Sequence, residues 1–359
     1  MAQPSTIDAS IGRGLFEGGR DAHTQARTAP KLRAESNEQV MEKRTVTVVG
    51  ASGTLGSAIV AALLARGVHV RAMVRATSNR AKLQSLGVTD YVVADLNDRA
   101  SLQRAMAAEP RATAVIASAA GFSAHSARTK GDNSLADTEG YRSLVDAAVD
   151  AGLPRFVLIS ILECDKAPGV PHFRQKFMTE QYLAEKGQPY LSLRAGAFLD
   201  RNKDIVAPKV RKGIFPEWTP GVALIMIYTP DLAGNAVQAA LDAPASALNQ
   251  CVDVCWDAPA TGPQLAAAFS RALGRPVVAR PAIPPPLLAV LPLLARFVPS
   301  LRDSYAVLSW IRKGGYVSRD TRRQRELFGE PPKIDDAVAR YCRDKGLLDP
   351  AGGVAATRA

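Results

Sequence analysis

The sequence has few aromatic residues, which make up 6% of the chain, and its basic residues never form a run of five or more. A surface that binds single-stranded nucleic acid combines stacking aromatic rings with clustered positive charge. Nucleic-acid binding is therefore not expected. The net charge of +11 is scattered along the chain and suits an anionic cofactor instead.

Cysteine is also scarce, since the 359 residues include only Cys164, Cys251, Cys255 and Cys342. These form no C-x-x-C pair, and no histidine cluster accompanies the C-x3-C spacing of Cys251 and Cys255. The pattern argues against a zinc site, and we expect no metal centre. Free thiols are typical of a reducing compartment, which favours a cytoplasmic protein.

The first 44 residues lack the apolar core of a secretory signal. They are polar, rich in arginine and only weakly periodic. The arginines suggest an organelle transit peptide, but acids such as Asp8 and Glu17 argue against import. We interpret residues 1–44 as a disordered extension, with organelle targeting as the alternative. Residues 351–359 are predicted to form a flexible tail.

The sequence also lacks an apolar stretch long enough to span a bilayer. Its most apolar segment, residues 283–298, is short and interrupted by Pro292. Three interpretations stay open for this segment: a lid or wall of a substrate pocket, a contact in a homodimer, or attachment to a membrane surface. We favour the first.

The most informative motif is G-A-S-G-T-L-G at residues 50–56, which follows the apolar run 45–49 and opens a helical pattern over about residues 55–66. A strand, a glycine-rich turn and a helix N-terminus together make a pyrophosphate site. A tight βα turn without a ligand is the alternative. We predict a dinucleotide site whose cofactor-binding residues include Gly50, Ser52, Gly53, Thr54, Leu55 and Gly56.

Strands and helices alternate from residue 45 to about residue 200. Further apolar strands are predicted at 68–74, 91–93, 114–118, 155–160 and 190–193, and helices at 79–86, 102–107, 135–151 and 172–186. Continuous apolar strands, each followed by a helix, predict a parallel sheet covered on both faces. We therefore predict an α/β protein with a Rossmann-type doubly wound parallel sheet over residues 45–200. A smaller C-terminal part over 201–350 would form the substrate side of the cleft.

Charged residues near the second strand predict which dinucleotide binds. An NAD site usually places Asp or Glu about 20 residues past the glycine turn. Here the strand is followed by Arg75, and no acid occurs between residues 68 and 80. Because Arg75 and Arg80 suit a 2′-phosphate, we predict that NADP(H) is favoured over NAD(H).

Two further strand ends are predicted to border the cofactor. Asp95 and Leu96 follow the third strand and would border the adenine, although Asp95 would also suit the N-cap of the next helix. Ser118, Ala119 and Ala120 follow the fourth strand, where small side chains would let a dinucleotide pass close by. Ordinary packing of small residues is the alternative for this second segment.

Over about residues 45–348 the chain resembles the atypical short-chain dehydrogenase/reductases, specifically their NmrA-like NAD(P)-binding proteins. This family includes reductases, epimerase-like enzymes and catalytically silent redox sensors, so the resemblance is specific for fold and cofactor rather than for substrate. The matching segments are G-A-S-G-T-L-G at 50–56, A-D-L at 94–96, D-T-E-G-Y-R-S-L-V-D-A-A at 137–148, R-F-V-L-I-S at 155–160, H-F-R-Q-K at 172–176, L-R-A-G-A-F at 193–198 and L-F-G-E-P-P at 327–332.

The resemblance implies catalytic roles for Ser160, His172 and Lys176. In short-chain dehydrogenases a serine ends the fifth strand, and Tyr-x-x-x-Lys lies on the next helix. Lys176 matches the lysine, which binds the nicotinamide ribose, and Ser160 matches the serine. His172 replaces the tyrosine and could itself donate a proton, because histidine titrates near neutrality. The alternative is that His172 is a polar helix-start residue without a chemical role.

These observations predict an NADPH-dependent reductase of a carbonyl or activated C=C bond in a small, apolar substrate. Divinyl chlorophyllide reductases are among the enzymes it resembles. The alternative function is a non-catalytic NADP(H)-binding redox sensor that acts through a protein partner. The missing tyrosine favours the sensor, whereas the retained Lys176 favours the enzyme.

Overall fold

The computed structural model describes residues 44–120, 136–200, 204–317 and 320–348. The predicted extension, apart from Arg44, and the predicted C-terminal tail lie outside the described residues. The same holds for Leu135, at which the predicted helix over 135–151 begins.

The first six strands of the described chain follow the predicted apolar runs to within about two residues at each end, whereas the five strands after them were not predicted. In chain order, the strands are β1 Thr45–Val49, β2 His69–Val74, β3 Asp90–Val93, β4 Ala114–Ala117, β5 Phe156–Ile161, β6 Tyr190–Ala195, β7 Ala197–Phe198, β8 Ile214–Glu217, β9 Met226–Ile227, β10 Gln250–Val254 and β11 Val278–Pro281. Seven of them form one sheet in the order β10-β6-β5-β4-β1-β2-β3, and every neighbouring pair is parallel.

The helices connect these strands and cover the sheet. They are α1 Thr54–Leu64, α2 Ala81–Ser85, α3 Arg99–Met106, α4 Tyr141–Asp150, α5 Pro171–Glu185, α6 Val206–Arg211, α7 Thr229–Leu241, α8 Gly262–Leu273, α9 Pro285–Phe297, α10 Pro299–Arg312, α11 Arg322–Phe328 and α12 Ile334–Asp344. One turn of π-helix, Ala136–Gly140, precedes α4.

The sheet separates two apolar cores. In β4, Ala114 and Ile116 pack into the core that α1 and α7 cover, whereas Val115 and Ala117 pack into the core of α3 and α4. Side chains alternate between the faces of a strand, so a strand buried on both sides reads as a continuous apolar run. This arrangement confirms the predicted Rossmann-type doubly wound parallel sheet.

The C-terminal part both extends the sheet and forms a core of its own. Strand β10 pairs with β6 as the seventh strand, and α7 packs against α1, so the central layers include residues beyond 200. A third apolar core lies mostly in this part of the chain, with a contribution from residues 162–199, and contains the fully buried rings of Trp256, Phe269 and Tyr341.

The apolar segment 283–298 forms α9, which packs against α10, and α10 in turn contacts α5. In α9, Leu291 and Ala295 are buried, while most other side chains are exposed. No helix within the described residues is sufficiently long and apolar to cross a membrane.

Candidate cofactor-binding and active site

The predicted cofactor-binding residues meet at the carboxyl edge of the sheet. Gly50 follows β1, Arg75 follows β2, and Ser118 follows β4. Strand β1 lies between β2 and β4, so the connections that leave β1 and β4 run to opposite sides. Ligands of doubly wound sheets bind in the crevice at such a switch point.

The glycine turn leaves room for a phosphate group. Gly50 has φ of +78°, and a Cβ atom there would lie 2.9 Å from the Ala119 Cα atom. A Cβ atom on Gly56 would lie 2.1 Å from the Gly50 carbonyl oxygen, so only glycine fits. Helix α1 begins at Thr54, and its N-cap residue, Gly53, provides no side-chain cap. The first backbone N–H groups of a helix have no partner within the helix and bind anions, so the turn fits a pyrophosphate.

The other predicted residues of this turn differ in exposure. Ser52 and Thr54 are exposed together with Gly53, whereas Leu55 is partly buried against the core of α1 and α7. Among these four residues, Ser52, Gly53 and Thr54 therefore present an open surface at the start of the helix.

The segment after β4 connects the glycine turn to Lys176. The Ser118 hydroxyl and its backbone N–H both donate to the Val49 carbonyl, at 2.9 and 3.1 Å. The Ala119 carbonyl accepts a hydrogen bond from the Lys176 ammonium at 3.5 Å. Ala119 also opposes Gly50, while Ala120 is partly exposed at the end of this described segment. The small residues at this strand end therefore allow Gly50 to pack closely on Ala119, and their contact with a dinucleotide stays a prediction.

Lys176 is buried on α5, and its ammonium lies 4.2 Å from the centre of the Tyr141 ring. The Tyr141 hydroxyl donates to the Ala119 carbonyl at 2.5 Å. Burial raises the pKa of Tyr141, and the Lys176 charge partly opposes this rise. Tyr141 was not predicted from the sequence. A tyrosine at the helix start after the fourth strand was its only sequence signal.

His172 lies one helical turn before Lys176 but contacts a different element. Its Nδ1 atom is 2.6 Å from an oxygen of Asp303 on α10, and its backbone N–H donates to the same carboxylate at 3.3 Å. Both side chains are largely buried. Asp303 thus fixes the imidazole orientation, which leaves Nε2 as the nitrogen for proton transfer. Whether His172 donates a proton stays a prediction.

Ser160 is buried in β5, and its hydroxyl lies 3.6 Å from the Cys164 sulfur. Burial raises the pKa of Cys164 to about 12, so this thiol stays protonated. The Cys164 thiol donates to Glu180, which also accepts from the Ser192 hydroxyl and the Arg194 guanidinium. Glu180 lies on α5, four residues after Lys176. Because its partners lie on β6 and just beyond the end of β5, this hydrogen-bond network fixes α5 against both strands. Its central carboxylate was not singled out in the sequence.

The two arginines predicted to select NADP(H) flank the end of β2. Arg75 is exposed, and its backbone N–H donates to the Ser78 hydroxyl at 3.1 Å. The Arg80 guanidinium lies 5.3 Å from the centre of the Tyr91 ring. Residues 75–89 contain no acid. Arg75 therefore presents its charge to solvent beside the glycine turn, without an acidic residue in the segment that follows β2.

Asp95 and Leu96 follow β3, as predicted. The Asp95 carboxylate accepts the Asn97 backbone N–H at 2.9 Å, whereas Asp98 is the N-cap of α3 and accepts from Ser101 N. The alternative role of Asp95 as N-cap is therefore wrong, because the N-cap residue lies three residues later. Leu96 packs tightly on the π-helical turn before α4, since a Cβ atom built on Gly140 would lie 2.8 Å from the Leu96 Cβ atom.

The cysteines and acids form no metal centre within the described part of the chain. There, no group of three or more His, Cys, Asp or Glu side chains has the geometry to hold a metal ion. The four cysteines are free, and three of them are buried.

Known proteins resemble this chain in sequence and in fold. The photosystem II assembly factor Ycf39 of Cyanophora paradoxa is 30% identical over 154 residues, which are 43% of this chain and 46% of that protein. The chain thus spans less than half the length of the curated relatives that it matches first.

Two solved structures share the fold over 82% of this chain and 99% of their own, each at 21% identity. They are an NADPH-dependent quinone oxidoreductase of Escherichia coli, with a TM-score of 0.62, and the Citrobacter triphenylmethane reductase in complex with NADP(H), with a TM-score of 0.63. The family model described as NmrA-like matches residues 42–308, and the chain therefore belongs to the NmrA-like family.

Proposed function

We propose that the chain is an NADP(H)-dependent oxidoreductase that reduces a carbonyl or activated C=C bond in a small, apolar substrate. One observation carries this proposal: the glycine turn and Lys176 meet at the same residue, Ala119. Gly50 faces the Ala119 backbone, and the Lys176 ammonium lies 3.5 Å from the Ala119 carbonyl. A pyrophosphate site and a ribose ligand are thus adjacent, as one dinucleotide requires.

Each part of the site has a separate task in this proposal. The uncapped N-terminus of α1 binds the pyrophosphate, and Arg75 with Arg80 binds the 2′-phosphate. Lys176 anchors the ribose hydroxyls, which fixes the nicotinamide relative to the substrate. When bound, the cofactor supplies the hydride. His172, oriented by Asp303, supplies the proton from Nε2.

The C-terminal part forms the substrate side of the cleft in this proposal. Helix α10 supports this assignment, because it brings Asp303 to His172 on α5. The names of the two structural neighbours guide the choice of the first compounds to test as substrates. A quinone and a triphenylmethane dye represent polarised, largely apolar acceptors, and an aromatic aldehyde and an enone extend the set.

The second candidate function is a redox sensor that binds NADP(H) without turnover and regulates a protein partner. The replacement of tyrosine by His172, which is paired with Asp303, favours this reading. The name of the Cyanophora relative, an assembly factor, agrees with a role exerted through other proteins.

NADPH oxidation in the presence of each acceptor separates the two functions. The enzyme predicts substrate-dependent consumption of NADPH that is lost in Gly53→Val, whose branched side chain would occupy the phosphate cradle. The sensor predicts NADPH binding, lost in the same variant, without turnover of any acceptor. If the chain does not bind NADPH, both functions are wrong.

A further inference from the structure

Helix α9 exposes an apolar face that the described residues leave uncovered. Leu287, Val290, Leu293, Leu294 and Phe297 recur at three- and four-residue intervals and so lie on one side of the helix. Leu293 is 61% exposed and Phe297 is 71% exposed. A contiguous apolar patch of this kind usually marks an interaction site.

The stretch of sequence that contains this face carries charge of only one sign. Residues 258–302 contain five arginines and no acidic residue. Arg296 is in the last turn of α9, and the Arg302 guanidinium donates to the carbonyls of Ala295 and Arg296. Two guanidinium groups therefore lie at the same end of α9 as Phe297. The first acid beyond this stretch, Asp303, is paired with His172.

This charge distribution selects among the surfaces that could cover α9. In a symmetric dimer the same patch meets itself, so residues 258–302 of one copy would offer no acid to the arginines of the other. An anionic bilayer offers an acyl region for the apolar side chains and phosphates for the guanidinium groups.

We propose that α9 docks on the surface of a membrane that contains anionic phospholipid. The apolar side chains enter the boundary between headgroups and acyl chains, and Arg296 and Arg302 contact lipid phosphates. Helix α9 packs against α10, and α10 carries Asp303 to His172. The helix pair that meets the membrane is thus also the one that contacts the candidate active site.

Flotation of the full chain with lipid vesicles tests this proposal. We expect binding to vesicles of equal parts phosphatidylglycerol and phosphatidylcholine, weaker binding at high salt, and little binding to phosphatidylcholine alone. The double variant Leu293→Gln/Phe297→Gln removes two apolar side chains, so its partition coefficient should fall at least about tenfold. Val149→Gln changes an exposed apolar residue on α4 and should bind as the wild type does.

A second pair of variants tests the charge. Arg296→Gln should weaken binding to the anionic vesicles about fivefold, because one basic residue near such a surface contributes about 1 kcal/mol. Arg104→Gln, which changes an exposed arginine in the last turn of α3, should have no effect. Unchanged melting temperatures would show that every variant is folded.

Three outcomes would overturn the proposal. The first is a wild-type chain that does not float with anionic vesicles at low salt. The second is a concentration-dependent dimer that Leu293→Gln/Phe297→Gln abolishes, since a second copy would then cover α9. The third is equal vesicle binding of wild type and double variant, which would exclude α9 as the docking surface.

Discussion

Replacing Lys176 with methionine should separate the loss of a cofactor ligand from the loss of a structural contact. The side chain is 6% exposed, and its ammonium lies 4.2 Å from the centre of the Tyr141 ring. A desolvated cation–π contact contributes about 2 kcal/mol, while burying the charge has a cost of opposite sign. Methionine fills a similar volume without the charge. The free energy of unfolding of the apo protein should therefore change by less than about 2 kcal/mol.

The effect on the cofactor should be larger than the effect on stability. A hydrogen bond from a charged donor contributes about 1.5–3 kcal/mol, which corresponds to a loss of about 10- to 150-fold in NADPH affinity. If Lys176 also orients the nicotinamide, turnover should fall together with binding.

Calorimetry with NADPH and thermal melts of the apo protein would measure both effects. Lys186→Met is a matched control. Lys186 directly follows the last residue of the same helix, and its ammonium lies 5.2 Å from the centre of the Tyr182 ring. We expect the control to bind NADPH as tightly as the wild type. Unchanged NADPH affinity in Lys176→Met with a lowered melting temperature would refute the assignment and make Lys176 a structural residue.

Three further perturbations test other parts of the account. Arg75→Asp should lower NADPH affinity about 10- to 150-fold and leave NADH affinity nearly unchanged, whereas a parallel change of both would exclude Arg75 as the selector. His172→Phe should keep NADPH affinity but lower turnover about 10²- to 10⁴-fold, and turnover in this variant equal to wild type would rule out His172 as the proton donor. Burial raises the pKa of Asp200, so its contribution to stability is present at low pH and is lost as pH rises through the raised pKa. Asp200→Asn keeps an acceptor for Thr229 but does not ionise. The melting temperature of this variant minus that of the wild type should therefore increase as pH rises above about 4, and a difference that stays constant with pH would contradict this.

The sequence predicted the central layers well, because their strands are buried on both faces. Runs such as residues 45–49 and 114–117 are mostly apolar, and glycine or polar residues end them. Strand β10 was missed, because it contains Asp253 and follows a stretch without regular alternation. Its place beside β6 depends on a tertiary contact that no local pattern encodes.

For the candidate site, the sequence predicted residues that follow from local geometry. The glycine turn and the small residues after β4 are of this kind, whereas Lys176 was predicted from the resemblance to short-chain dehydrogenases. The roles of Tyr141 and Asp303 instead arise where segments distant in sequence meet. Asp303 lies 131 residues beyond His172, and Tyr141 reaches Ala119 from the helix after it. Periodicity and spacing carry no information about such pairs.

Side-by-side calorimetric titration of the wild-type chain with NADPH and NADH tests the central claim most directly. The structure predicts one saturable site per chain and an affinity for NADPH that exceeds that for NADH by about 10- to 150-fold, the contribution of a charge-assisted contact to the 2′-phosphate. The absence of saturable binding of either nucleotide would contradict the claim that the glycine turn and Lys176 form a dinucleotide site.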